Sequence, residues 1–148
     1  MSVERRTTRQ QRAVRSAILE AGRPLSIEEI HEEARASAPT IGLRTVYRVV
    51  RRLEEDREIA PVTLPGKPNR YESADVAATH HHHFHCESCD RVFDVRGCVS
   101  RLQQLLPTGF VLAGHELTFW GACEECSTAR STDGAEPGRS RGRQVDRA

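Results

Sequence analysis

No run of about eighteen apolar residues occurs in this 148-residue chain, so no membrane-spanning helix is expected. The N-terminus lacks the apolar stretch of a secretory signal, and the expected compartment is the cytoplasm. Aromatic residues are scarce, 5% of the chain, and apolar residues reach only 37%. A single large core is therefore excluded; two small lobes, one braced by a metal, suit the composition. There is no phosphate-binding loop, no Ser-His-Asp order and no catalytic metal motif, so neither an enzyme nor a small-molecule substrate is expected. A dominant sign of charge is missing too, with a net charge of +1. That balance hides a local bias: from Arg5 to Arg23 there are six arginines and one acid, Glu20. A basic N-terminal arm of this kind suits a phosphate backbone, and it equally suits a solvated N-terminus.

The pattern that is present starts with helices. Residues 9–21 repeat apolar side chains at helical spacing (Val14, Ala17, Ile18, Ala21) until Gly22 and Pro24 stop them. Ser26 and Glu29 form a capping-box pattern ahead of Ile27, Ile30 and Ala34. After Pro39 and Gly42, a third helix is expected over about 43–56, with Leu43, Val46, Val50 and Leu53 as its buried stripe. Candidate strands follow at Ile59–Leu64 and Asn69–Ser73, joined by the turn Pro65-Gly66-Lys67-Pro68. Three helices and a hairpin predict a winged helix-turn-helix. Asp75–Thr79 reads as a linker. Strands are then expected at Phe84–Cys86, Val92–Val95, Phe110–Gly114 and Leu117–Ala122, with a short helix at about 98–106. The fold class is α/β in the α+β sense. The expected division is a DNA-binding domain with its basic arm over 1–76, a metal-binding domain over 77–127, and a disordered Ser/Gly/Arg-rich tail over 128–148.

Arg44, Arg48 and Arg51 recur at i, i+4 and i+7 of the third helix, opposite its apolar stripe. Such a helix fits the major groove, with Tyr47 beside it to pack on a thymine methyl or bind a phosphate. The competing reading is an exposed charged face, since Glu54, Glu55 and Asp56 follow closely.

Cys86-x-x-Cys89 and Cys123-x-x-Cys126 are two potential knuckles in a compartment where thiols stay reduced. Together they predict a closed four-cysteine structural zinc site with no open position for chemistry. A thiol redox switch would use the same residues. His80, His81, His82 and His83 run consecutively just upstream. In an extended segment His81 and His83 point to one side and His80 and His82 to the other, so one short strand can serve two metal sites. Glu72, Asp94, Cys98 and His115 are the candidate completing ligands. Asp94 stands among Val92, Phe93 and Val95, where a carboxylate needs a cation or a hydrogen-bond partner. Cys98 has no Cys-x-x-Cys mate and reads equally as a small core residue.

Taken in order, these motifs resemble the ferric uptake regulator (Fur) family of bacterial repressors, over about residues 9–126. The carrying residues are Gln11-Arg12, Ile41-Gly42-Leu43-Arg44-Thr45-Val46-Tyr47-Arg48, Arg70-Tyr71-Glu72, His80–His83, Cys86-x-x-Cys89, His115-Glu116-Leu117 and Gly121-x-Cys123-x-x-Cys126. The resemblance implies a winged helix, a small α/β dimerisation domain, and a homodimer that binds operator DNA when a sensory metal is present. It implies DNA contacts from Tyr47 and Arg48, with Arg12, Arg44, Thr45 and Arg51 around them. It gathers Glu72, His81, His83 and Asp94 into a hinge sensory site, and His80, His82, Cys98 and His115 into a second regulatory site. The family's usual fifth hinge ligand, a histidine before the second helix, is here Pro24, which argues against octahedral iron or manganese and against a peroxide sensor. Iron-sensing members often carry carboxylates where this chain has His82 and Cys98. Three imidazoles and a thiolate suit zinc, so the zinc-uptake branch is favoured over iron or manganese sensing. Glu72 pulls the other way, because zinc sensors often have cysteine there. Outside that reading stand a metal-buffering protein, a thiol redox sensor and a haem-responsive variant.

Overall fold

The computed structural model describes residues 8–132. Arg5, Arg6 and the tail beyond 132 lie outside them. Helix α1 (Arg9–Glu20) begins where the Thr8 side chain accepts from the Gln11 backbone and the Gln11 side chain accepts from the Thr8 backbone. Helix α2 (Ile27–Arg35) starts with the same reciprocal cap from Ser26 and Glu29. Each box satisfies two backbone donors that the helix itself cannot. Helix α3 (Leu43–Glu55) buries Val46, Val49, Val50 and Leu53. The expected Leu43 is 39% exposed and Val49 takes its place. Positions 46, 49, 50 and 53 form the i, i+3, i+4, i+7 face, and Leu43 at the helix start falls beyond it. Fourteen buried apolar residues between Ala13 and Ile59 make one core from the three helices and the strand after them.

Strands β1 (Ile59–Val62) and β2 (Arg70–Ser73) pair antiparallel with Ile59 opposite Ser73 and Val62 opposite Arg70. Tyr71 also exchanges backbone hydrogen bonds with Leu25 at 2.8 and 3.0 Å, which ties the wing to the segment before α2. The stretch expected as a linker starts with a one-turn helix, α4 (Ala74–Ala77), because the Ser73 side chain caps the Val76 N–H.

The second lobe is a three-stranded sheet in the order β4-β3-β5. Central β3 (His82–Cys86) pairs antiparallel with β4 (Val92–Val95), placing His83 opposite Asp94, and parallel with β5 (Thr118–Gly121). The parallel pair requires a long crossover. Within it the expected helix at 98–106 is reduced to a 3-10 turn at Leu102–Leu105. The expected strand at 110–114 does not form: its apolar side chains find no sheet edge, and Phe110 and Val111 stand 62% and 88% exposed. Residues expected at the start of a disordered tail are instead helical, in α5 (Glu124–Thr132). Among the described residues after Leu64, only Cys86 and Val92 are buried apolar side chains. No helix among the described residues is long and apolar enough to cross a membrane.

Candidate metal centres and nucleic-acid face

The strand alternation of β3 and the residues before it separates the histidine run into two groups. His81 and His83 meet Glu72 from β2 and Asp94 from β4, with the four ligand atoms within 4.8 Å of one another. The His81 and His83 Nε2 atoms are 3.1 Å apart; each lies 3.3–3.9 Å from Glu72 Oε2 and Asp94 Oδ1. Donors at about 2.0 Å from a tetrahedral ion would lie about 3.3 Å apart. Five of the six donor separations, at 3.1–3.9 Å, are thus close to that edge. Asp94 Oδ1 is buried without a hydrogen-bond partner. Burial and the Glu72 charge raise the Asp94 carboxyl above its ordinary range. Burial alone would lower His81, but the Thr79 carbonyl and the Glu72 and Asp94 carboxylates outweigh it and raise the imidazole above 6.5. Pro24 is buried and offers no donor.

On the other side, His80, His82, Cys98 and His115 converge within the same 4.8 Å limit. Cys98 Sγ lies 2.9 Å from His115 Nε2. The His82 ring is 2% exposed, and neither of its nitrogens has a hydrogen-bond partner. Desolvation, then His80 and His115, lowers its pKa, so it is held as a neutral imidazole with a free lone pair. The lone pair of a buried imidazole of that kind wants a hydrogen-bond donor or a metal ion.

Cys86 closes β3, and the chain turns back to β4 through Cys89 and Asp90, where Asp90 adopts φ 60° and its N–H bonds the Cys86 carbonyl at 2.9 Å. Cys123 and Cys126 follow β5, and the four sulfurs gather into one cluster. Cys89 and Cys123 Sγ are 3.8 Å apart, the edge expected of a tetrahedron with about 2.3 Å zinc–sulfur bonds. Burial pushes the Cys86 thiol up, but the backbone N–H groups of Cys123, Cys89 and Ser88 outweigh it and bring it down to about 6. The neighbouring thiols, Cys123 first, push Cys126 up to about 12. One thiolate is thus favoured without metal, and an ion would have to displace the remaining protons.

On α3, Arg44, Tyr47, Arg48 and Arg51 are exposed and Thr45 is half-buried. Thr45, Arg48 and Arg51 line a groove of about 630 Å³ with Gln10 and Gln11 of α1. Arg12 is exposed on α1. Arg51 is ion-paired to Glu55 at 3.1 Å, the charged-face alternative expressed at one position. Sequence reasoning missed a further ionic group between the lobes: Asp90 accepts from Arg70, Lys67 and His85. It also missed the Arg23 guanidinium stacked 5.9 Å over Phe93. The one signal for the former was the chain's sole lysine, placed in the wing turn.

Comparison with known proteins gives a consistent picture. The profile of the ferric uptake regulator family matches residues 2–120. The chain is 32% identical over 132 residues to the transcriptional regulator FurA of Mycobacterium tuberculosis, covering 85% of this chain and 88% of that one. It is similar in structure to the Helicobacter pylori ferric uptake regulator, described as having three functional metal binding sites, with 25% identity, a TM-score of 0.59 and 81% of each chain covered. A zinc-bound manganese uptake regulator is also similar, at 25% identity and a TM-score of 0.68, over 80% of this chain and 90% of that one.

Proposed function

Because this chain belongs to the ferric uptake regulator family of metal-responsive transcriptional regulators, we propose that it is a homodimeric, cytoplasmic repressor of metal-uptake genes whose sensed metal is zinc. The observation that carries the zinc reading is the second cluster. Three imidazoles and a thiolate form a soft donor set, and the buried His82 ring has nothing else to bind. The hinge cluster supports it, since five of its six donor separations lie near a tetrahedral edge and Pro24 supplies no fifth ligand. The two hard oxygens of Glu72 and Asp94 favour the second reading, iron or manganese sensing. Three clusters in this chain parallel the three sites described for the Helicobacter pylori protein.

In this reading residues 1–76 bind DNA and residues 77–127 bind metal and dimerise. Cys86, Cys89, Cys123 and Cys126 hold a structural zinc whose binding energy is part of folding. Glu72 comes from the wing, and His81, His83 and Asp94 come from the second lobe. A metal held by both lobes fixes their relative placement, and with it the spacing of two winged helices on a palindromic operator. Its preference for that arrangement is the coupling free energy between metal and DNA. Arg44, Thr45, Tyr47, Arg48 and Arg51 read or grip the DNA, with Arg12 beside them. Val99, Leu105, Phe110, Val111 and Trp120 are exposed apolar side chains in the second lobe and suit burial against a second copy.

Fluorescence anisotropy on DNA from the protein's own upstream region, in buffered zinc, anaerobic ferrous iron, manganese or no metal, tests the reading. Zinc-dependent binding at concentrations where iron does nothing is expected. His81→Ala should keep the fold and lose most of the metal-dependent gain, which for such couplings is about 5–150-fold. An iron or manganese preference would overturn zinc sensing, and unchanged metal-dependent affinity in His81→Ala would overturn the hinge role.

A further inference from the structure

Strand β2 buries two charged side chains, Arg70 and Glu72. Being two residues apart, they leave the same face of the strand, about 7 Å from each other. Tyr71 between them packs against the helical core. The strand is therefore fixed to the DNA-binding lobe by one face and presents two charged pegs from the other.

Glu72 meets His81, His83 and Asp94. Arg70, with a side chain only 3% exposed, meets the cysteine knuckle instead. One Arg70 NH2 donates to the Asp90 carboxylate and to the Asp90 carbonyl, both at 2.7 Å; NH1 reaches the Pro68 carbonyl at 3.1 Å. The Asp90 carboxylate also accepts from Lys67 Nζ at 2.9 Å and from His85 Nε2 at 2.7 Å. Asp90 directly follows Cys89, and its backbone closes the knuckle turn in a left-handed conformation that glycine would adopt without strain. An acid at this position bears a local backbone cost and gains three cationic or hydrogen-bonding partners, two of them from the wing.

We propose that Asp90 is a positioning residue for the hinge metal cluster: by seating Arg70 on the four-cysteine knuckle, it sets where Glu72 meets His81, His83 and Asp94. The inference rests on the hinge reading above. Asp90, Arg70 and Lys67 donate nothing to the hinge cluster themselves. With the clasp formed, Glu72 is already in reach of the other ligands. With it gone, the competent arrangement becomes one of several, and the apparent metal affinity falls by the fraction of time it is populated. The geometry of the structural site thereby reaches the sensory site through the Asp90–Arg70 contact.

The test is a cobalt titration of the full chain, loaded with one zinc in the four-cysteine site. Cobalt at the hinge gives visible absorption without thiolate charge transfer; cobalt at the cluster containing Cys98 gives both and serves as an internal control. Asp90→Gly keeps the left-handed turn and both carbonyl acceptors of Arg70. It should lower hinge affinity about tenfold, leaving zinc content and the thiolate-bearing site unchanged, and Asp90→Asn should fall between. Arg70→Met breaks the clasp from the β2 side, with the knuckle untouched, and should show the same drop. Hinge affinity within about twofold of wild type in Asp90→Gly and Arg70→Met would overturn the proposal. His83→Ala separates the two failures. If it abolishes the sulfur-free signal while the clasp variants retain it, Asp90 alone loses its role. If that signal survives His83→Ala, the hinge reading fails and the proposal falls with it.

Discussion

Replacing Cys86 with serine should unfold one lobe and spare the other. The second lobe has almost no apolar interior: beyond Leu64 only Cys86 and Val92 are buried apolar residues among those described. Burying Val92 contributes about 1.5–3 kcal/mol. Ordering the backbone costs about 1–2 kcal/mol for every residue. Strands β3, β4 and β5 hold five, four and four residues, so Val92 offsets the ordering of only one or two of them. A structural zinc contributes about 10–16 kcal/mol, several times the hydrophobic term, and is the interaction that decides whether the sheet exists. Cys86 is the fully buried member of the cluster and receives the Cys123 N–H on its sulfur. Serine there removes a ligand without offering an equivalent one. The fourteen-residue helical core contains nothing from the second lobe and should persist. Hydrogen exchange read by mass spectrometry, alongside zinc stoichiometry, measures this. Amides in β3, β4 and β5 should exchange at the rate of unfolded chain, while α1–α3 stay protected. A zinc-free Cys86→Ser protein whose β3–β5 amides remain protected would refute the view that metal, not packing, holds this sheet.

Two further outcomes follow from the site geometry. Arg48→Ala removes an exposed side chain and should leave thermal stability within about 0.5 kcal/mol of wild type, yet cost about 1–3 kcal/mol in DNA binding; undiminished affinity across all operators would remove Arg48 from the interface. Acidification should weaken the hinge site. The His81 pKa is raised, so in the metal-free chain its proton stabilises the fold below 6.5, and that contribution is lost as pH rises through the raised value. Metal must displace the same proton, so cobalt affinity at the hinge should drop as pH falls through that raised value; a flat profile would show that His81 is not a ligand.

What could be read from the chain beforehand was whatever depends on near neighbours. The Ser26–Glu29 capping box lies within four consecutive residues, and α2 starts where that cap predicts; the box at Thr8 and Gln11 is equally local but is not among the expectations. Alternation along a strand separated His81 and His83 from His80 and His82 before any fold was known. The failures are of two kinds. Phe110–Gly114 carries apolar residues suited to a strand, but a strand needs an edge to pair with, and none reaches it. Leu102–Leu105 and Ala74–Ala77 are single turns whose limits come from the neighbouring chain rather than from their own periodicity. The Arg70–Asp90 clasp joins residues 20 positions apart, and although Arg70 stands in the Arg70-Tyr71-Glu72 motif and Asp90 follows the first cysteine pair, no local pattern links the two. Its partners read as ordinary surface charges until the two lobes are brought together. Leu43 shows the same limit inside a correctly placed helix, since periodicity identifies a face but not how far along that face the core extends.

The histidine run has a consequence for how this protein tolerates deletion. Four identical residues in a row cannot record which of them has been lost, so every single-histidine deletion yields one and the same chain. The downstream end is anchored, because Cys86 is tied to Arg91 through its backbone and to the other cysteines through its sulfur. Slack must therefore be taken up from the upstream side. The three remaining histidines would fill the places of His81, His82 and His83, and Thr79 would slide into the place of His80. Whichever codon disappears, the pair facing Glu72 and Asp94 is preserved and the group around Cys98 is left a ligand short. The order of the chain thus protects one centre at the expense of the other.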